Sequence, residues 1–200
     1  MKNLLLILLT AALMQSCFVN AKRDYNGYSK SLVFNKTEKW LINNIYTDLN
    51  SNDREALGDE TLSVFKKLSN ENAYTLSKAK SENLINNKIP FSPESEDIQQ
   101  LKNATDFNFL VNIYTKKVRD NLAPLETTEQ REYASNEAFA IIEIYDIKKE
   151  KRIYYQKVYS SQTRDKQTKG PSFHYSSESL SKKNLRKILK DIKKNAIIKS

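Results

Sequence analysis

Phe107-Asn108-Phe109-Leu110-Val111-Asn112-Ile113-Tyr114 alternates its side chains with a period of two and is rich in aromatic and branched residues. It reads as a β-strand, with Phe107, Phe109, Val111 and Ile113 on one side. Just upstream, Ser92-Pro93-Glu94-Ser95-Glu96 has the form of a helix start. Proline stands at its first helical position and acids sit where the helix dipole favours them, so a helix to about Asn103 is expected.

Further upstream, Lys39 to Tyr46 reads as a first core strand, with a helix beginning near Thr37 as the alternative. Asn52 and Asp53 are candidate caps for a helix to about Leu68, on which Leu57, Leu62, Phe65 and Leu68 recur at near-helical spacing. Ala73 to Ser77 suits a short strand and Lys78 to Asn86 a small helix, broken off by Pro90 and Pro93.

Downstream of a polar loop containing Pro124, Ala138 to Ile147 and Arg152 to Ser160 form a hairpin around Lys148-Lys149-Glu150-Lys151. Ala138, Ala140, Ile142 and Ile144 share one face of its first strand. Phe139, Ile141 and Tyr145 share the other, which argues for a central place in the sheet. After a basic segment from Gln162 to Gly170, a helix from Ser179 to Asn195 closes the domain. Its inward stripe is Leu185, Ile188, Leu189, Ile192 and Ala196, and Lys182, Lys183, Arg186, Lys187, Lys190, Lys193 and Lys194 lie opposite. The fold expected is a single α/β domain over residues 37–200, a mixed sheet of about five strands flanked by helices.

The amino terminus has a different character. Lys2 precedes the run Leu4 to Met14, apolar except for Thr10 and too short to cross about 30 Å of hydrocarbon, which reads as a secretory signal over residues 1–16. Two processing sites compete at its end. Ser16-Cys17 resembles a lipobox, loosely filled by Leu13, Met14 and Gln15, whereas Val19-Asn20-Ala21 resembles an ordinary signal-peptidase site. Cys17 is the only cysteine and stands where lipidation needs it, so acylation at Cys17 is the expectation. Residues 17–36, polar and with Asn26-Gly27 as a turn signal, are expected to be a tether followed by an entry strand.

The formal charge of +9 falls to +8 when Lys2 leaves with the signal. The excess favours anionic surfaces, and an exported chain meets those as lipid head groups and cell-wall polymers, so nucleic acid is not an expected partner. Phe18, where some lipoproteins carry a retention aspartate, points to outer-membrane anchoring facing the periplasm. A soluble periplasmic or secreted form is the alternative if cleavage follows Ala21.

From Lys39 to Asn195 the chain resembles a group of envelope domains, the amino-terminal domain of TolB and the lipoproteins of the LpoB and CsgG type. The resemblance is carried by the strand-helix-strand opening and Ile89-Pro90. It continues through the helix ending Leu101-Lys102-Asn103-Ala104-Thr105-Asp106, which leads into Phe107 to Val111, then Tyr145-Asp146-Ile147-Lys148 at the hairpin turn and the closing helix. It implies a lipid-anchored periplasmic domain that docks on another envelope protein and has no catalytic residue to carry over. The long transmembrane β segments of a secretion-pore subunit are missing, so pore formation is not expected.

Chemistry is sparse in the residues themselves. His174 is the only histidine, so no metal site, catalytic site or cofactor is expected, and it reads as a structural or exposed residue. Gly27, Gly58 and Gly170 supply neither a Gly-x-Ser-x-Gly elbow nor a phosphate loop. Glu94, Glu96 and Asp97 are explained as helix-start acids.

Two binding surfaces remain. Tyr145, Tyr154, Tyr155 and Tyr159 either form a docking or sugar-stacking surface or pair across strands at the rim of the core. Lys183, Lys187, Lys190 and Lys194, with Arg164, Lys166 and Lys169 near the same end, form either an anionic-lipid or glycan surface or a solvated helix face. The first expectation is an adaptor that docks on an envelope protein complex. The second is a polyanion-binding module, and a hydrolase lacks a recognisable nucleophile and base.

Overall fold

A computed structural model describes residues 20–28, 31–81, 88–126, 134–163 and 172–199. The signal segment with Cys17, the end of the helix expected to Asn86, and Arg164, Lys166 and Lys169 lie outside the described residues.

The strand that contains Phe109 to Tyr114 is the axis of the molecule. It extends over β6 (Phe109–Asp120) and is the hinge between two kinds of pairing. On one side β8 (Ser135–Asp146), β9 (Lys151–Thr163) and β1 (Lys22–Tyr28) follow in antiparallel order. On the other side β3 (Trp40–Ile42), β4 (Tyr46–Thr47) and β5 (Ala73–Thr75) run parallel to their neighbours. The parallel connections are made through helices, as they must be: α1 (Ser51–Leu68) between β4 and β5, then α2 (Leu76–Ser81) and α3 (Ser95–Ala104) between β5 and β6. Two-stranded ribbons join β7 (Leu125–Glu126) to β10 (Ser172–Phe173), and β2 (Val33–Asn35) to β11 (Ile197–Lys199) behind α4 (Ser177–Asn195).

The single mixed α/β domain is as expected, but its main sheet has seven strands where about five were expected. One addition comes from the supposed tether. Lys22–Tyr28 pairs along β9 from Lys22↔Ser161 to Tyr28↔Tyr155, so the ordered domain begins well before residue 37. Its Asn26-Gly27 is not a turn. Gly27 has φ of 142° and presses so close to β9 that a Cβ would fall 2.2 Å from the Tyr155 carbonyl oxygen, a place open only to glycine. The other addition comes from the expected strand 39–46, which breaks at Asn43-Asn44-Ile45 into β3 and β4, both paired to β6.

Local chemistry moved several boundaries. Asn50, rather than Asn52 or Asp53, caps α1: its Oδ1 accepts the Asp53 N–H at 2.9 Å. β5 stops at Thr75, whose Oγ1 accepts the Lys78 N–H as α2 begins. Pro93 lies outside α3, which starts after Glu94 with the Asp97 carboxylate accepting the Glu94 N–H at 2.9 Å.

One face of the sheet carries the main core. Phe34, Trp40, Phe65 and Phe109 nest at its centre, with Trp40 stacked 4.5 Å from Phe34 and 4.2 Å from Phe109. Around them Val111, Ile113, Ala140, Ile142, Ile144 and Val158 meet Leu57 and Leu68 of α1 and Leu185, Ile188, Leu189 and Ile192 of α4. The opposite face has a smaller cluster in which Leu41, Leu110 and Ile147 are covered by Leu76 and Ala79 of α2 and Ile98 and Leu101 of α3. Phe107 belongs to this second cluster, not with Phe109: the chain kinks at Asn108, whose N–H and that of Phe109 both reach the Lys39 carbonyl.

Candidate functional site

Two places combine shape with unusual composition. The first is the far half of the second sheet face, beyond the reach of α3. Here the register sets Phe139 beside Tyr159, Ile141 beside Lys157 and Glu143 beside Tyr155, with Tyr114 and Lys116 from β6 alongside. Tyr114 meets Phe139 edge to face at 5.3 Å, Phe91 adds a ring 5.2 Å from Tyr114, and Tyr46 another 5.9 Å from Phe91. Lys157 Nζ stands 4.6 Å from the Phe139 centroid, and the Arg152 guanidinium 4.9 Å from that of Tyr155. Phe139, Ile141, Tyr155, Lys157 and Tyr159 are each half-buried, and among the described residues no helix packs over them.

The tyrosines singled out from the sequence do not act as one group. Tyr155 and Tyr159 do lie on this face. Tyr159 donates to the Glu137 carboxylate, and partial burial together with that carboxylate pushes its hydroxyl up to about 12. Tyr154 points the other way, is buried in the main core and donates to Gln156 Oε1, so it is not a docking ring. Burial, with the Asp191 carboxylate, pushes its hydroxyl above the usual tyrosine range. Tyr145 packs at the margin of the second cluster and donates to Glu143 Oε2 at 2.9 Å, and burial pushes it up likewise. It lies on the same face as Phe139 and Ile141 but at the other end of the strand, opposite Leu110 in the half that α2 and α3 cover. Tyr114, Phe91 and Tyr46 escaped the sequence reading. Period two alone would have put Tyr114 on the face opposite Ile113, whereas Phe91 is brought in by a loop.

The second place is a cleft at the carboxyl ends of β3 and β5, the position at which open α/β sheets leave a crevice. It measures about 570 Å³, with Asn43, Asn44, Arg54, Asp59, Thr75 and Ser77 in its wall. An adjoining hollow of about 340 Å³ shares Asn43, Asn44 and Arg54 and adds Lys80 and Lys88. The break between β3 and β4 opens it. Buried Asn43 donates from Nδ2 to the Ile89 carbonyl at 3.0 Å and to Asn112 Oδ1 at 2.9 Å, and Asn112 donates to the Phe91 carbonyl, so two amides hold residues 89–91 across the strand ends. Mixed charges and amides suit polar contacts. Ser77 Oγ donates to Asn44 Oδ1 at 3.5 Å, an amide oxygen that cannot serve as a general base.

His174 is buried, with Nε2 2.8 Å from Ser172 Oγ, itself buried; a hydroxyl without access to substrate is no nucleophile. No metal-holding group of three or more histidine, cysteine or acidic side chains occurs among the described residues. Glu96 and Asp97 lie in the first turn of α3 and Glu94 precedes it, as helix-start acids should.

The basic face of α4 is partly consumed. Lys182 bridges Asp53 at 2.9 Å and Glu178 at 3.0 Å, Arg186 pairs with Glu60 at 2.8 Å, and Lys187 with Asp191 at 2.5 Å. The Asp53 and Asp191 carboxylates accordingly raise Lys182 and Lys187 above the usual lysine range. Lys183 is half-buried with Nζ 3.1 Å from the Tyr175 ring centroid. Of the lysines proposed for anion binding, Lys190 and Lys194 are exposed. Pairing within the domain, invisible in a list of charges, divides that surface.

No protein-family model and no curated protein matches the chain. Among solved structures, the PelC dodecamer from Paraburkholderia phytofirmans is similar at 8% identity and a TM-score of 0.43, over 88% of this chain and 99% of that one. The hypothetical protein CT253 from Chlamydia trachomatis is similar at 13% identity and a TM-score of 0.35, over 80% of this chain and 98% of that one. Lipoprotein GNA1162 from Neisseria meningitidis is similar at 10% identity and a TM-score of 0.33, over 62% of this chain and 83% of that one. Likenesses this distant assign this chain to no family and carry no function to it.

Proposed function

We propose that this chain is a non-catalytic lipoprotein of the cell envelope, acylated at Cys17, that docks on a larger envelope protein through the ring-bearing half of its sheet. The observation that carries the docking surface is the open stripe Tyr114, Phe139, Ile141, Tyr155, Lys157 and Tyr159. Aromatic rings already ordered by cross-strand packing offer large contact area at low entropic cost, and Lys157 supplies charge, the Arg152 guanidinium being paired with Glu143 at 2.6 Å. The export segment with its single cysteine supports the anchor, and the resemblance to TolB-, LpoB- and CsgG-type domains supports the adaptor role. Outer-membrane attachment facing the periplasm belongs to the same proposal. An anionic glycan or lipid reading through α4 is the weaker one, because Lys183 and Lys187 already have partners within the domain.

Intact mass of the protein purified from its native envelope, beside a Cys17→Ser variant, tests the anchor. A mature form beginning at an acylated Cys17, lost from the membrane fraction on substitution, is expected. A soluble form beginning at Lys22 would overturn it.

A further inference from the structure

The amino-terminal strand fixes which end of the domain an anchor would hold. Lys22 lies five residues after Cys17, a span of at most about 18 Å when fully extended. Lys22 is paired to Ser161, at the end of the sheet where β8 begins, β9 finishes and β6 runs out. The β7–β10 ribbon continues from this end. Leu122 exchanges hydrogen bonds with the Asn136 side chain, and the His174 N–H donates to the Pro124 carbonyl at 3.0 Å.

This end also gathers partly exposed apolar side chains. Leu125 and its ribbon partner Phe173 are 45% and 40% exposed, and Val118, at the bulge of β6, is 50% exposed. Lys22, Arg23 and Lys116 stand exposed on the same end. Two of the local acids are engaged with backbone: Asp120 accepts the Ser177 N–H and Asp48 the Lys117 N–H. Arg119 lies 3.6 Å from Glu137, and Asp24 is exposed.

The carboxyl end of α4 points away. That helix starts beside Asp120 and reaches Gln156 at Asp191. Gln156 is five residues along β9 from Ser161, about 17 Å of strand. Lys194 therefore stands farther from Lys22 than the Debye length of about 8 Å.

From this placement, and resting on acylation of Cys17 as proposed above, we infer that the Val118, Leu125 and Phe173 end of the domain lies against the bilayer surface. Its apolar side chains enter the head-group boundary and Lys22, Arg23 and Lys116 face anionic head groups. The basic carboxyl end of α4 is then held off the membrane. The domain stands end-on, with the aromatic sheet face directed sideways along the membrane toward a partner.

The test uses full-length acylated protein on vesicles of phosphatidylcholine and phosphatidylglycerol with brominated acyl chains, carrying an environment-sensitive fluorophore at Leu125→Cys, Val118→Cys or Lys194→Cys in turn. Flotation with the vesicles reads the anchor, and quenching reads the orientation. Loss of most of the emission at 125 and 118, with emission at 194 retained, is expected. Flotation without quenching at 125 and 118, or with quenching at 194, overturns the orientation and leaves the anchor standing. Failure to float removes the anchor, and the orientation with it.

Discussion

The two faces of the sheet are built from the same strands and solve different problems. On the face toward α1 and α4, Trp40, Phe109, Val111, Ile142, Ile144 and Val158 are fully or almost fully covered, and polar side chains beside them find local partners, although Trp40 Nε1 is buried without one among the described residues. Asn184, for instance, donates to the Ala138 carbonyl and accepts from Ser160. On the other face α2 and α3 cover one half, and the rest is rings and charges that pack against one another across strands, with no helix over them among the described residues. Alternation along β8 makes the contrast visible residue by residue: Ala140 and Ile142 are completely buried, while their neighbours Phe139 and Ile141 are not. This half-covered aromatic face is the one the proposed docking would use.

If the closed face carries the stability, its substitutions must cost most. Trp40→Ala removes the ring stacked between Phe34 and Phe109 and should cost about 3–5 kcal/mol in urea unfolding. A cost comparable with that of an exposed side chain would break the assignment of this face as the core. On the half covered by α3, Leu110→Ala should cost about 2–4 kcal/mol by the same measurement. Asn112→Ala, which strands the Asn43 amide and the Phe91 carbonyl between these halves, should cost about 1–3 kcal/mol.

The open face should instead show itself in pH dependence. Hydrogen bonds from Ser135 and then Tyr159 hold Glu137 below its usual 4.5. Its contribution to stability is therefore present above that value and lost as pH falls through the depressed one. Tyr159, raised from 10.0 to about 12, contributes stability that is complete below 10 and lost as pH rises toward 12. Tyr159→Phe should flatten the alkaline limb of a plot of urea midpoint against pH; an unchanged limb would deny the Glu137 contact. The smallest effect is expected for Phe139→Ala, at about 1 kcal/mol or less, since its ring is only half-buried.

Much of the closed face was legible in the sequence because it is built on strict periods. Ala140, Ile142 and Ile144 repeat by two, and Leu185, Ile188, Leu189 and Ile192 follow the helical stripe; the structure puts each in the core. What escaped was set by contacts between distant segments. An entry strand is expected somewhere before Lys36, but Lys22 to Tyr28 is polar with both faces largely exposed, so no hydrophobic pattern fixes its bounds or its pairing along the edge of β9. Asn43 and Asn44 look like ordinary strand residues, and only the Asn43–Asn112 amide pair explains why the strand breaks there. For the open face, Phe139 and Ile141 were visible by alternation. The same alternation separates Tyr154 from Tyr155 and Tyr159; that Tyr145 is covered beside Leu110 was not visible, because it depends on where α2 and α3 pack.

The central claim is that this open half of the sheet meets another protein. A photocrosslinking residue placed in turn at Phe139, Lys157 and, as the outward control, Arg186, in the acylated full-length protein in its native envelope, tests it most directly. Discrete products with a second protein from positions 139 and 157, and none from 186, are predicted. No product from 139 or 157, or the same product from 186, would contradict the account.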